Sequence, residues 1–224
     1  MGRLYLYGCD QMGKCTSGGR SSAGVGGSMP KLANPREQID YPQDEQTKLY
    51  DYTESSHINY ELGVIGYNNM SDTYKEMADT LDTAISKSGW TKDEFQTGMY
   101  RGGGGVMIGV SQDQTFQSKQ DLVNFINNNL IGVPTTNAGY TSITGTFSVA
   151  KSFSSGEKNA VILEYGKIGK GMRGAYVSGG NGKKAISYYG TDENETILQR
   201  NVKTTPVMAY LKDNRVHVVV TADP

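Results

Sequence analysis

Polar side chains interrupt strand-like patterns at three places between residues 98 and 200 of this sequence. The first is Arg101, which follows Tyr100 and begins the run Arg-Gly-Gly-Gly-Gly. An arginine suits two-pronged contact with a phosphate or a carboxylate, and Gly102 lets a ligand or another backbone approach closely. This segment therefore favours an anion-binding position at the end of a strand.

The other two places carry like groups two residues apart. Ser142 and Thr144 would share one face of a strand, and Glu193 and Glu195 would share one face where a later strand begins. Neighbouring carboxylates repel each other and raise each other's pKa, so a fold with no use for them tends to avoid the pair. Taken singly, each pair is also compatible with a solvated strand face or an acidic loop tip.

The elements that must position these residues change along the chain from helices to strands. A helical pattern runs from about Asp44, and Ser71 offers an N-cap to a second helix. A turn of helix is predicted in the segment TKDEFQT, and a further helix near residues 119–128. Strands are predicted at residues 98–101, 140–144, 160–165, 174–178, 196–200, 206–211 and 215–221, with a hairpin turn at Asp213-Asn214. Helices first and strands later predict an α+β fold.

The beginning of the chain has a different composition. Gly and Ser dominate residues 15–29, so we expect residues 1–43 to form a flexible extension ahead of one domain at residues 44–224. The segment from Gly8 to Cys15 nearly forms a phosphate-binding P-loop, but a cysteine stands where the motif needs Ser or Thr. The two cysteines lie in this segment far from both histidines, so no zinc site is expected.

Charge and hydropathy exclude several classes of protein. The chain has 22 Lys and Arg against 23 Asp and Glu, and its net charge of −1 gives no field to attract nucleic acid or an anionic membrane. No apolar stretch approaches the roughly 20 residues of a membrane span, and the first residues lack the apolar core of a secretory signal. We expect a soluble protein, and nothing suggests more than a monomer.

The order of the polar segments resembles the Arg-Ser-Glu class of mono-ADP-ribosyltransferases. That family includes actin-modifying binary toxins and Rho-modifying exoenzymes. The likeness extends to GKGMRGAYVS at residues 169–178 and to ETILQRN at residues 195–201, and it covers about residues 44–224. It implies a helical N-terminal part followed by two packed, mostly antiparallel sheets with an NAD cleft between them. It also implies NAD as co-substrate and no metal.

The resemblance assigns roles to the matching residues. Glu195 becomes the catalytic glutamate, which binds a ribose hydroxyl and stabilises the positive charge that develops on the ribose. Ser142 would orient Glu195, and Arg101 would hold the NAD phosphates. The Gly102 backbone would hold the nicotinamide amide, and Thr144 stands where many members carry a second serine.

Residues around these motifs extend the expected site. Phe153 resembles an aromatic residue that packs near nicotinamide, and Lys158 is expected to be a second phosphate contact. In the family, a glutamate at the position of Glu193 goes with arginine acceptors, so an arginine of a target protein is the expected acceptor. Tyr188 and Tyr189 fall in the loop that faces the target. The resemblance thus implies a toxin or effector that is secreted, injected or carried by a phage and acts in a target-cell cytoplasm.

Two alternatives remain open at this point. The same fold could act as an NAD glycohydrolase, with water as the acceptor. The chain could also be a non-enzymatic, β-rich virion or surface binding module in which the polar pairs are solvated strand faces. The simultaneous presence of Arg101, Ser142, Glu193 and Glu195 favours the enzyme, because a binding module does not require them together.

Overall fold

A computed structural model describes residues 32–55 and 57–224. The described residues confirm the α+β class. The α-helices are α1 (Gln43–Glu54), α2 (His57–Tyr60), α3 (Asp72–Ser86), α4 (Lys119–Asn129) and α5 (Phe147–Phe153). The strands are β1 (Glu94–Phe95), β2 (Tyr100–Gly103), β3 (Thr135–Asn137), β4 (Thr141–Thr144), β5 (Val161–Ile168), β6 (Gly174–Tyr176), β7 (Glu195–Leu198), β8 (Val202–Lys212) and β9 (Arg215–Asp223).

The strands form two groups that meet at one residue pair. One group runs in the order β3-β8-β9-β5-β2, with β1 also paired to β5, and the other runs β4-β7-β6. Tyr100 of β2 pairs with Thr144 of β4, and this pair joins the groups. Strands β5 and β9 are parallel, whereas the other pairings are antiparallel. The expected mostly antiparallel arrangement is confirmed.

One hydrophobic core lies beneath the helices that cover β4-β7-β6, and a larger core lies on the group that contains β8 and β9 and also includes one side chain of β4 and one of β7. Helix α4 packs on β8 and β9 and buries Ile126 among the side chains of that group. Helices α1 and α3 cover the other group, where Leu81 and Ile85 are buried with Ile197 of β7. The Ser71 hydroxyl caps α3 by accepting from the Tyr74 N–H. We call α1, α2 and α3 the front helices. Their buried side chains hold them against the strand group β4-β7-β6.

The hairpin prediction is confirmed, and one predicted helical turn is wrong. Asp213 and Asn214 have φ values of 47° and 55°, as a two-residue type I′ turn between β8 and β9 requires. In the TKDEFQT segment, Glu94 and Phe95 pair with β5 instead of forming a helical turn. The Glu94 carboxylate accepts from the Trp90 indole and from Arg36, and these contacts fix an extended segment.

The compact unit begins at Leu32. The expected boundary at residue 44 lies inside a packed segment, because Tyr41 is buried and the Gln38 side-chain oxygen accepts from the Gly179 N–H at 2.9 Å. The Gly/Ser-rich tract, the P-loop-like segment and both cysteines lie outside the described residues. Among the helices that the structure describes, none is both long enough and apolar enough to cross a membrane.

Candidate active site

A cavity of about 280 Å³ lies where the front helices meet both groups of strands. This volume is just below the roughly 300–1,000 Å³ of ligand pockets, so it suits part of a dinucleotide. Most of the residues singled out in the sequence meet there. The lining comprises Tyr52, Thr53, Glu54, Asn59, Tyr100, Arg101, Gly102, Ser142, Ile143, Thr144, Val149, Ala150, Phe153, Tyr189, Glu193 and Glu195.

Glu195 is the first residue of β7 and is buried at the floor of this cavity, with 6% of its surface exposed. Its N–H donates to the Ser178 hydroxyl at 2.7 Å, and the Ser187 hydroxyl donates to its Oε2 at 3.3 Å. Burial raises the pKa of the Glu195 carboxyl, while the hydroxyls of Ser142 and Ser187 and the charge of Arg101 act to lower it. The carboxylate is thus held in one place by neighbours on several elements.

Glu193 also lines the cavity, but it lies in the turn before β7 and not, as was expected, on the strand. The strand begins at Glu195, and Asn194 before it has a φ of 46°, so strand alternation does not align the two carboxylates. Asn194 is fixed in this left-handed conformation by the Tyr176 hydroxyl, which donates to its Oδ1 at 3.0 Å. Burial, and then the charge of Glu195, raise the pKa of Glu193 to about 7.

Arg101 approaches the cavity from β2. Its Nη1 donates to the Ser142 carbonyl at 3.0 Å, and its Nε lies 3.3 Å from the Met107 sulfur. A Cβ at Gly103 would be 2.9 Å from the Met107 sulfur. The absence of a side chain at Gly103 therefore leaves room for Met107 beside Arg101. The guanidinium is thereby directed across β2 toward the strand that carries Ser142.

Gly102 lies directly under α5. A Cβ built at Gly102 would be 1.7 Å from the Ala150 carbonyl oxygen. No real Cβ tolerates that distance, and the obstacle is backbone, so α5 itself would have to move. The glycine therefore lets α5 pack on β2 and brings Phe153 to the cavity wall.

Gly102→Ala is expected to displace α5 and to lower the free energy of unfolding by about 1–3 kcal/mol, the usual cost of overpacking. NAD binding should weaken with it. Thermal unfolding and NAD titration check both effects. Gly63→Ala is the matched control, because a Cβ at Gly63 meets nothing within 4 Å. Equal unfolding temperatures for the two variants would contradict the packing described here.

The Thr144 hydroxyl makes hydrogen bonds to two backbone groups of the protein. The hydroxyl donates to the Glu193 carbonyl and accepts from the Thr146 N–H at 2.9 Å. These bonds join the end of β4 to the turn that carries Glu193. A direct contact between Thr144 and NAD stays a prediction.

The remaining predicted residues lie at the rim of the cavity or outside it. Phe153 is 55% exposed and lines the rim, as does Tyr189, which is 50% exposed. Tyr188 is outside the lining, with its ring 5.1 Å from that of Tyr189. Lys158 is also outside the lining, and its ammonium donates to the Gln112 carbonyl. Their contacts with NAD or a target stay predictions.

Helices α1 and α2 contribute residues to the site that the sequence pattern did not indicate. The Tyr52 hydroxyl lies 3.3 Å from the Ser142 hydroxyl and accepts from the Asn59 amide at 3.2 Å. The Asn59 side chain also accepts from the Tyr140 N–H at 2.7 Å and donates to its carbonyl at 3.1 Å, which anchors the start of β4. Burial raises the pKa of Tyr52. In the sequence, Tyr52 has only the spacing of a helical core residue.

Neither histidine takes part in this cavity. His217 is buried on β9 with its Nδ1 2.6 Å from Glu164, and His57 lies on α2 beside Glu61. The residues that the structure describes include no group of three or more His, Cys, Asp or Glu placed to hold a metal ion.

A family model described as ADP-ribosyltransferase exoenzyme matches residues 31–223. The chain therefore belongs to the ADP-ribosyltransferase exoenzyme family, which confirms the resemblance drawn from the sequence. No curated protein matches the chain by sequence.

Solved structures of bacterial toxins share the fold. Plx2a, an ADP-ribosyltransferase toxin from Paenibacillus larvae, is 21% identical, with a TM-score of 0.65 over 81% of this chain and 86% of that chain. C3stau2 from S. aureus, solved with NAD, is 22% identical, with a TM-score of 0.63 over 82% and 88%. BECa of a C. perfringens binary enterotoxin, solved with NADH, is 17% identical, with a TM-score of 0.59 over 81% and 43%. At these low sequence identities, the similarity establishes a shared fold and nothing further.

Proposed function

We propose that this protein transfers ADP-ribose from NAD to the guanidinium group of an arginine in a target protein and releases nicotinamide. The observation that carries the proposal is the meeting of Glu193 and Glu195 in one cavity with Arg101 and Ser142. The family supplies the reaction class, and the two carboxylates supply the choice of acceptor.

The first step breaks the bond between the ribose C1′ and the nicotinamide nitrogen. Nicotinamide leaves with the electron pair of that bond, and positive charge develops on the ribose, as in glycoside cleavage. Glu195 is suited to stabilise that charge, because it is buried where water screens it little. Ser187 and Ser178 hold it in place through the bonds described above, so little reorganisation is needed during the reaction.

The NAD phosphates and the nicotinamide need other partners, which the wall formed by β2 and α5 offers. Arg101 is the positively charged residue of that wall and suits a diphosphate. The Gly102 backbone and Phe153 lie beside it, where they would hold the nicotinamide amide and ring. Lys158 lies outside the cavity lining, so its contact with a phosphate requires a ligand that extends beyond the cavity.

The second step forms a bond between C1′ and a nitrogen of the acceptor. A guanidinium is a poor nucleophile until a base takes a proton from it. Glu193 suits this role, because a pKa of about 7 leaves a useful fraction of carboxylate at neutral pH together with appreciable basicity. The proton lost by the guanidinium passes to Glu193, and the product is ADP-ribosylarginine.

An NAD glycohydrolase is the competing function, since Glu195 alone would serve it. The half-buried second carboxylate favours the transferase, because a guanidinium cannot attack until it loses a proton, whereas neutral water already has a lone pair that can attack the ribose cation. Burying Glu193 beside Glu195 disfavours the charged form of Glu193 and so costs stability. We infer that this cost is tolerated because Glu193 has a role in the reaction.

Residue mapping tests the acceptor. The purified chain is incubated with NAD and a cell lysate, and modified peptides are sequenced by tandem mass spectrometry. The proposal predicts ADP-ribose on arginine. Modification confined to asparagine or glutamine would overturn the arginine assignment, and nicotinamide release with no modified peptide would identify a glycohydrolase.

A further inference from the structure

The cavity opens past a surface formed by the end of α1 and the loop before β7. We call this surface the acceptor rim and define it by Tyr50, Thr53, Glu54, Tyr188 and Tyr189. Thr53, Glu54 and Tyr189 also line the cavity, whereas Tyr50 and Tyr188 lie outside its lining. The sequence alone indicates no role for Tyr50, Thr53 and Glu54, the three residues of α1.

The two halves of the acceptor rim are joined to each other. The Tyr188 N–H donates to the Thr53 hydroxyl at 2.8 Å. The Tyr188 ring meets the Tyr50 ring edge-on at 5.7 Å, and it meets the Tyr189 ring in the same way at 5.1 Å. The loop is therefore positioned by α1, and the rim is one continuous surface.

The tyrosines of the acceptor rim remain exposed although they contact one another. Tyr50, Tyr188 and Tyr189 are 42%, 49% and 50% exposed. Rings that pack edge-on leave aromatic faces open to solvent, and an aromatic face attracts a cation, more often the guanidinium of arginine than an ammonium. The rim thus offers binding energy to a positively charged, planar group.

The charges around the cavity favour the same kind of occupant. Of the described residues that line it, the charged ones are Glu54, Arg101, Glu193 and Glu195. Three carboxyl groups against one arginine make the cavity negative, most strongly once Glu193 ionises as the pH rises through about 7, and Glu54 is exposed on the α1 side of it. Carboxylates and aromatic faces together match the flat, five-donor guanidinium group.

We propose that the acceptor rim binds an arginine-bearing segment of the target protein, with Glu54 and Tyr50 of α1 as specificity-determining residues. Glu54 attracts and orients the guanidinium as it passes toward Glu193. Tyr50 supports Tyr188 and adds an aromatic contact to the segment around the arginine. This inference rests on the proposed function, because it concerns the acceptor of that reaction.

The first test uses agmatine, a small guanidine, as the acceptor. Glu54→Gln is expected to raise the KM for agmatine about 3- to 5-fold, the scale of an exposed charge contact. It should also lower the fraction of consumed NAD that ends as ADP-ribosylagmatine. Added salt should raise the KM for agmatine less in this variant than in the wild type, because the variant lacks the Glu54 charge that salt would screen. Glu76→Gln, an exposed glutamate of α3 outside the cavity lining, is the matched control.

The second test uses a peptide with a single arginine. Tyr50→Ala is expected to raise the KM for the peptide about 2- to 5-fold, on the scale of an exposed cation–π contact, and to change the KM for agmatine less. Tyr60→Ala is the control, because Tyr60 is 56% exposed and lies outside the cavity lining.

The outcomes separate this inference from the proposed function. If the wild type forms no guanidine adduct with either acceptor while it releases nicotinamide, arginine transfer itself fails and this inference fails with it. If the wild type forms adducts but Glu54→Gln and Tyr50→Ala behave like their controls, arginine transfer stands and the acceptor rim is overturned.

Discussion

Glu195→Gln should abolish both nicotinamide release and ADP-ribosyl transfer, with kcat lower by at least roughly 10²- to 10³-fold. Glutamine has nearly the same shape and can still accept a hydrogen bond from Ser187, so the change removes mainly the negative charge. That charge is needed in the first step, which both activities share. Initial rates of nicotinamide release and of label transfer check the prediction.

Thermal unfolding provides the control for this variant. Because burial raises the pKa of Glu195, its ionisation in the folded protein costs stability, and neutral glutamine avoids that cost. At about pH 8 the variant should unfold at a temperature no lower than the wild type. A folded Glu195→Gln protein that kept wild-type nicotinamide release would contradict the role given to this carboxylate.

Glu193→Gln should separate the two activities. Transfer to an arginine acceptor should fall by roughly 10²- to 10⁴-fold, the range that a positioned general base contributes. NAD hydrolysis should persist, because the first step depends on Glu195. Asp192→Asn is the matched control, since it removes a charge from an exposed neighbour in the same turn that does not line the cavity. Equal loss of transfer and hydrolysis in Glu193→Gln would contradict the division of roles.

The pH dependence of transfer should follow Glu193. Its pKa of about 7 means that the carboxylate form, which acts as the base, grows in as the pH rises through 7. Transfer should therefore increase over this range, and hydrolysis should lack this dependence. A flat profile for transfer near pH 7 would contradict Glu193 as the base.

Stability should show the opposite trend. A folded-state pKa raised above the unfolded one makes the stability contribution of Glu193 largest at low pH, and this contribution is lost as the pH rises to about 7. Glu193→Gln should thus unfold at a higher temperature than the wild type at about pH 8, and the difference should shrink as the pH falls and vanish at about pH 4, below the ordinary pKa of a glutamate. Differential scanning calorimetry at the two pH values measures it.

The sequence contains the local part of this fold. The Ser71 cap, the Asp213-Asn214 turn and seven of the nine described strands depend on neighbouring residues, and those strands begin and end within four residues of the predicted bounds, whereas β1 and β3 were not predicted. The TKDEFQT segment failed because Glu94 is fixed by distant partners, among them Arg36, which is 58 positions away. A local pattern carries no information about such contacts.

Some residues of the candidate site could likewise be predicted from the sequence, and others could not. Arg101, Ser142, Glu193 and Glu195 could be found because their order along the chain matches a family pattern. Tyr52 and Ser187 could not, since a tyrosine at helical spacing and a serine in a loop have no distinguishing context. Their importance comes from folding, which brings Tyr52 within 3.3 Å of Ser142 and Ser187 within 3.3 Å of Glu195.

The most direct measurement uses NAD labelled in its adenylate part, incubated with a cell lysate and either the wild-type chain or Glu195→Gln. A labelled protein band is expected with the wild type and none with the variant. A band of equal strength with both proteins would show that the labelling does not depend on this carboxylate. No band with the wild type, whether or not nicotinamide is released, would contradict protein ADP-ribosylation.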